Sequence, residues 1–133
     1  MDAQEKYEYW KSYAERDLDA AEAMFETGRW FYVVFICQQA IEKLIKGLFN
    51  YHVDDNVPKT HNIGLLANRI EDELSISFDA EKHEFFETLT KYYIADRYPD
   101  FISKIGETVN KDEAASILNK TREVFTWLLT LKL

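Results

Sequence analysis

The chain places polar and ionic side chains inside its most apolar segment, residues 30–49. Burying such groups is unfavourable unless they are paired with one another or used in a function. They are separated by three or four residues, a spacing that predicts one shared face of a helix. The residues on this face are Gln39, Glu42, Lys43 and Lys46.

Cationic side chains of this segment and of the next loop could bind a phosphate group together. Lys43 and Lys46 lie on the predicted helix, and Lys59 and His61 follow in the loop. Phosphate recognition needs several converging positive donors, and lysine binds phosphate as a point charge. A helix beginning near Thr60 would also direct free N–H groups at an anion. The alternative is that the lysines form solvated ion pairs of little energetic value.

The histidines and the single cysteine predict no metal site. His52, His61 and His83 are widely separated, and Cys37 is surrounded by apolar residues that favour a place in the core. His61 could contact a ligand, because histidine titrates near neutral pH, and it is a weak candidate for catalysis. The alternative for His61 is a structural bond that caps a helix or fixes the turn.

A second polar cluster, residues 97–100, lies near the end of another predicted helix. Arg97 could hold a phosphate while neighbouring rings such as Tyr93 and Tyr98 stack on a base. Alternatively, Arg97 pairs with a carboxylate such as Asp100 or Glu42 and fixes the end of the helix.

Apolar residues recur at helical spacing through most of the chain. The predicted helices span about residues 3–27, 29–52, 60–74, 79–98 and 110–131. Gly28 is typical of a helix C-cap, and Thr60 is predicted to cap the third helix. Asp79 can cap the fourth helix, and Asn110 with Glu113 has the spacing of a capping box.

Length and composition predict a single all-α domain over residues 1–133. The connections are of modest length and favour antiparallel neighbours, so we expect an up-and-down four-helix bundle with one additional short helix.

No run approaches the roughly 20 apolar residues of a membrane span, and the polar N-terminus is unlike a signal peptide, so a soluble cytoplasmic protein is expected. The net charge of −8 argues against binding of duplex nucleic acid.

Three motifs follow one another along the chain: Gln38-Gln39-Ala40-x-Glu42-Lys43-x-x-Lys46, Lys59-Thr60-His61 and Arg97-Tyr98-Pro99-Asp100. Together they resemble the HEPN domain family over nearly the whole chain. The resemblance implies a helical bundle that dimerises and is often encoded beside a minimal nucleotidyltransferase, in pairs like toxin–antitoxin modules. It also implies either ribonuclease activity, nucleotide binding or service as the partner of the transferase.

The chain departs from the ribonuclease members of this family in one respect. Those members carry an arginine followed by a histidine after four to six residues. Here no arginine has a histidine in that window; the last histidine, His83, follows Arg69 by 14 residues. The departure argues against an enzyme that cleaves RNA.

The sequence therefore predicts an HEPN-like, homodimeric module that binds a nucleotide such as ATP or another anion, needs no other cofactor and works with a minimal nucleotidyltransferase. We expect the dimer interface to be formed by those side chains of an aromatic stripe that the core leaves uncovered; the stripe consists of Trp30, Phe31, Tyr32, Phe35 and Phe49. The predicted ligand contacts are Lys43, Lys46, Lys59, His61 and Arg97, supported by Gln39, Glu42, Tyr93 and Tyr98. The alternatives are a toxin-like ribonuclease that uses His61 with Arg97 or a lysine, and a purely structural assembly protein.

Overall fold

The computed structural model describes residues 1–97, 100 and 109–132, except for the side chains of residues 95–97. This part of the chain is helical and contains no β-strand. Its helices are α1 (Ala3–Glu26), α2 (Trp30–His52), α3 (Ile63–Leu74), α4 (Ala80–Arg97), α5 (Lys111–Leu129) and a final 3₁₀ turn (Thr130–Lys132). The prediction of an all-α fold is confirmed.

Helix α1 begins and ends at local sequence signals. The Asp2 carboxylate accepts a hydrogen bond from the Glu5 N–H at 2.8 Å, and the Glu5 side chain accepts from the Asp2 N–H at 3.4 Å. This reciprocal capping box satisfies two N–H groups that the helix cannot. Gly28 follows α1 with φ +77°, a left-handed conformation that glycine adopts without strain.

Helix α3 begins three residues later than predicted, and Thr60 is not its cap. Asn62 is the N-cap, with its side-chain oxygen accepting from the Leu65 N–H at 3.2 Å. The Thr60 hydroxyl instead accepts from the Asn62 N–H at 3.1 Å and forms a turn before the helix. His61 therefore lies in the turn that precedes α3.

The predicted caps of α4 and α5 are present. The Asp79 side chain accepts from the Lys82 N–H at 2.8 Å, and the pKa of this carboxyl is lowered because Lys82 bonds to it through both side chain and backbone. Asn110 accepts from the Glu113 N–H at 2.9 Å. The Glu113 carboxylate does not complete a capping box but accepts from the Tyr92 hydroxyl of α4. The predicted end of the fourth helix at residue 98 lies outside the described residues.

The long helices alternate in direction. Helix α1 runs against α2, since Tyr7 packs on Tyr51 and Asp17 pairs with Lys43. Helix α5 runs against α1 and α4: Arg122 bonds to Glu22 and Lys132 to Glu8 on α1, while on α4 Lys120 bonds to Glu81 and Glu113 to Tyr92. The up-and-down arrangement is therefore confirmed, with α3 as the additional short helix between α2 and α4.

Helix α2 is central and packs against each of the other α-helices described. Most of its apolar residues are buried, including Cys37, whose pKa burial raises to about 11. At Gly47 the backbone of α1 comes so close that a Cβ atom there would lie 3.0 Å from the Cβ of Trp10. Because α2 is covered on several sides, any polar group on it needs a partner within the protein.

No helix in the described part of the chain is both long and apolar enough to cross a membrane.

Candidate functional site

A buried carboxylate lies at the centre of the polar residues on α2. Glu42 is only 3 % exposed and lies within hydrogen-bond distance of three side chains. Gln38 Nε2 donates to Oε1 at 2.9 Å, and Lys46 Nζ donates to Oε2 at 3.0 Å. These two residues lie one turn before and one turn after Glu42, so the helix itself aligns them. The third group, His61 Nδ1, lies 3.0 Å from Oε1.

The three partners balance the cost of burying the Glu42 charge. Lys46 supplies an opposite charge, and its side chain is itself only 13 % exposed. The Lys46 ammonium also lies 5.8 Å from the centre of the Trp10 ring on α1. An ionised carboxylate with several donors is stable inside a protein, whereas removal of one partner is expensive.

Three aromatic rings from different elements stack beside the carboxylate. The His61 ring lies 4.0 Å from the Tyr93 ring of α4, with an angle of 21° between the planes. Tyr93 is in turn stacked on Phe35 of α2, with 6.2 Å between the ring centres. The His61 side chain is 44 % exposed and Tyr93 is buried. His61 is thus the most exposed ring of the stack, since Phe35 is only partly exposed.

The loop that carries His61 is fixed to the end of α2 by Asn50. The Asn50 amide donates to the carbonyl oxygens of Asp54 and Asp55 at 3.1 and 3.0 Å. Its side-chain oxygen accepts from Trp10 Nε1 at 2.8 Å. The prediction from sequence does not include Asn50, although a polar Asn within an apolar helix needs a hydrogen-bond partner inside the protein. The loop is therefore held in place before it reaches His61.

The structure brings together some of the predicted residues and separates others. Glu42, Lys46, His61 and Tyr93 form one cluster. Lys43 does not join it, because its ammonium lies 2.6 Å from Asp17 Oδ2 on α1.

Gln39 reaches the cluster only indirectly. Its amide donates to Gln38 Oε1 at 2.6 Å, and Gln38 in turn bonds to Glu42.

The His61 ring contacts the carboxylate of Glu42. The structural role expected for His61 from the sequence was different: a helix cap or a bond to a carbonyl that fixes the turn.

The remaining predicted residues lie at the edge of the cluster or outside the described part. Lys59 is exposed and precedes His61 by two residues. Arg97 is the last residue of α4, four positions after Tyr93, and its side chain is outside the described residues. Tyr98 also lies outside them. Among the described residues, no group of three or more metal-ligating side chains is arranged to hold an ion.

Comparison with known proteins identifies the fold. TT1696 from Thermus thermophilus is similar in structure, with a TM-score of 0.80 and 24 % identity over 96 % of this chain and 98 % of that one. ST0689, described as an archaeal HEPN homologue, gives a TM-score of 0.74 at 24 % identity, again over 96 % and 98 % of the two chains. No curated protein matches the sequence. The HEPN domain family matches residues 7–131, and the chain therefore belongs to the HEPN family.

Proposed function

We propose that the cluster around Glu42 and His61 binds a nucleotide. The observation that carries the proposal is the accessible His61 ring, stacked on Tyr93 at 4.0 Å and bonded to the buried Glu42. A flat ring held by a stack on one side and a hydrogen bond at its edge is a rigid platform for a base. Because the platform is already ordered, little conformational entropy is lost when a ligand binds.

The phosphate groups of the nucleotide would lie on the cationic side of the cluster. The Lys46 ammonium has three N–H donors, of which one is bound to Glu42. Lys59 is exposed close to His61, and Arg97 follows Tyr93 on α4. The charge of −8 repels long phosphate chains, whereas these local cations favour a short one. A mononucleotide such as ATP therefore fits better than duplex nucleic acid.

Calorimetric titration with ATP, with and without Mg²⁺, tests the proposal. We expect saturable binding at one site per chain and affinity about 5- to 150-fold weaker in His61→Ala, since loss of a base-stacking contact costs about 1–3 kcal/mol. His83→Ala is the matched control, because His83 also bonds to a glutamate and stacks on a ring but lies at the α3–α4 junction. Equal ATP affinity in both variants, or no binding to the wild type, would refute the nucleotide function.

The Glu42–His61 contact also favours a second candidate, cleavage of RNA by general acid–base catalysis. A carboxylate that orients an imidazole by one nitrogen leaves the other nitrogen to move a proton. The family's usual arginine–histidine motif is absent from the sequence, so this function would need Arg97 or a lysine as the cation. Degradation of RNA by purified protein, lost in His61→Ala and kept in His83→Ala, would establish it.

We also propose that the module acts as a homodimer and works with a minimal nucleotidyltransferase, in a pair of the toxin–antitoxin type. Tyr32 near the start of α2 and Ile94 near the end of α4 are 51 % and 45 % exposed, and exposed apolar side chains that lie together are typical of an interaction surface. Their helices meet where Phe31 contacts Tyr92. Sedimentation of the wild type and of Tyr32→Glu tests the proposed dimer. Co-purification of the protein with a minimal nucleotidyltransferase tests that partnership. Partner binding without any nucleotide affinity would favour a purely structural assembly protein.

A further inference from the structure

The histidines in the described part of the chain do not all contact their partners through the same ring nitrogen. His61 faces the Glu42 carboxylate with Nδ1, at 3.0 Å from Oε1 and 3.2 Å from Oε2. His83 faces Glu71 with Nε2 at 3.1 Å, and His52 faces the carbonyl oxygen of Leu131 with Nε2 at 2.6 Å. His61 is therefore the exception among them.

The partners of Glu42 determine which nitrogen of His61 carries the proton. Glu42 is paired with the Lys46 ammonium, and an ionised carboxylate only accepts hydrogen bonds. The His61 nitrogen in contact with it must then be a donor, so Nδ1 carries a hydrogen. In the neutral ring, Nε2 is left with a lone pair and can only accept.

We propose that Glu42 is a positioning residue, which fixes His61 as the Nδ1–H tautomer so that Nε2 accepts a hydrogen bond from a ribose hydroxyl of the ligand. The inference rests on the proposed nucleotide function and adds to it which part of the nucleotide His61 contacts. Gln38 contributes to this positioning, because its hydrogen bond to Oε1 keeps the Glu42 carboxylate in place.

In its neutral form His61 is a poor ligand for a phosphate group. A neutral Nε2 and a phosphate oxygen are both acceptors and repel each other, so the phosphates belong on Lys46 and Lys59. A ribose hydroxyl can donate to Nε2, and the 2′-hydroxyl is the group by which proteins distinguish ribose from deoxyribose. The base then stacks on the face of the His61 ring, and a ribose hydroxyl donates to Nε2 at its edge. The site is therefore selective for ribonucleotides.

Nitrogen NMR of the free protein tests the tautomer without any ligand. At alkaline pH, where imidazole rings are neutral, long-range ¹H–¹⁵N spectra distinguish the two ring nitrogens. We expect the Nδ1–H form at His61 and the Nε2–H form at His52 and His83, which act as internal references. In Glu42→Ala, His61 should shift toward Nε2–H while His83 is unchanged; Glu71→Ala should affect His83 alone. An Nε2–H form at His61 in the wild type overturns the inference even if neither variant folds.

Titration of the wild type with ATP, 2′-deoxy-ATP and 3′-deoxy-ATP tests the hydroxyl contact. We expect one of the two deoxy compounds to bind more weakly by about tenfold, and the difference to disappear in His61→Ala. Equal affinity for all three compounds overturns the hydroxyl contact. If no nucleotide binds but His61 is the Nδ1–H form, the nucleotide function fails and the positioning role of Glu42 is upheld.

Discussion

Replacing Glu42 by alanine removes the acceptor that three donors share, and we expect a marked loss of stability. Gln38 is fully buried, so its amide cannot turn to water and is left without its acceptor. An unsatisfied buried donor of this kind costs about 1–3 kcal/mol. Lys46 is 13 % exposed and His61 44 %, so both can regain some hydration.

The net cost lies at the lower end of the range for breaking a fully buried ion pair. Removal of one member of such a pair costs about 3–5 kcal/mol. Here the flexible Lys46 stem can move its ammonium toward solvent, which lowers the penalty. We therefore expect Glu42→Ala to reduce the free energy of unfolding by about 3 kcal/mol, and Lys46→Ala by about 2 kcal/mol. The double variant should lose about 1–2 kcal/mol less than the sum, because both changes break the same contact.

Urea unfolding followed by circular dichroism measures these differences at one fixed protein concentration, since the stability of the proposed dimer depends on concentration. The control is Glu8→Ala, which removes an exposed glutamate that lies 3.5 Å from Lys132. We expect the control to change stability by less than about 0.5 kcal/mol. A Glu42→Ala variant as stable as this control would contradict the account of a paired, buried carboxylate.

Three further predictions concern α2. Lys43→Met should cost about 1 kcal/mol through loss of the partly exposed bond to Asp17 and leave ATP affinity unchanged, as checked by unfolding and calorimetry. Gly47→Val should lower stability by about 2 kcal/mol, measured by thermal unfolding, because the new Cβ would press on Trp10 of α1 at 3.0 Å. Cys37, with its pKa raised to about 11 by burial, should resist alkylation at neutral pH in the native state and react once urea unfolds the chain, as followed by mass spectrometry.

The helices could be predicted because their signals are local. Apolar residues recur every three or four positions, and Gly28, Asp79 and Asn110 mark helix ends by chemistry that needs no tertiary contact. The start of α3 was mispredicted because Thr60 and Asn62 are both good caps. In the structure Asn62 caps the helix and the Thr60 hydroxyl forms the turn before it, a choice between two neighbouring caps that the local sequence does not make.

Of the contacts in the site, only those within a single helix could be predicted from the sequence. Glu42 and Lys46 pair because they are one turn apart, which the sequence shows directly. Lys43 is equally close in sequence, but it points toward Asp17, a residue of another helix. The stack of His61 on Tyr93 joins a loop to α4 across 32 positions, a contact that depends on how the bundle closes.

The central claim is that a nucleotide stacks on the His61–Tyr93 platform. The most direct test is a ¹H–¹³C spectrum of the histidine and tyrosine ring signals recorded while ATP is added. We predict that the ring signals of His61 and Tyr93 shift together and saturate, while those of His83 and of the exposed Tyr9 stay in place. Unchanged signals at His61 and Tyr93 under saturating ATP would contradict the account.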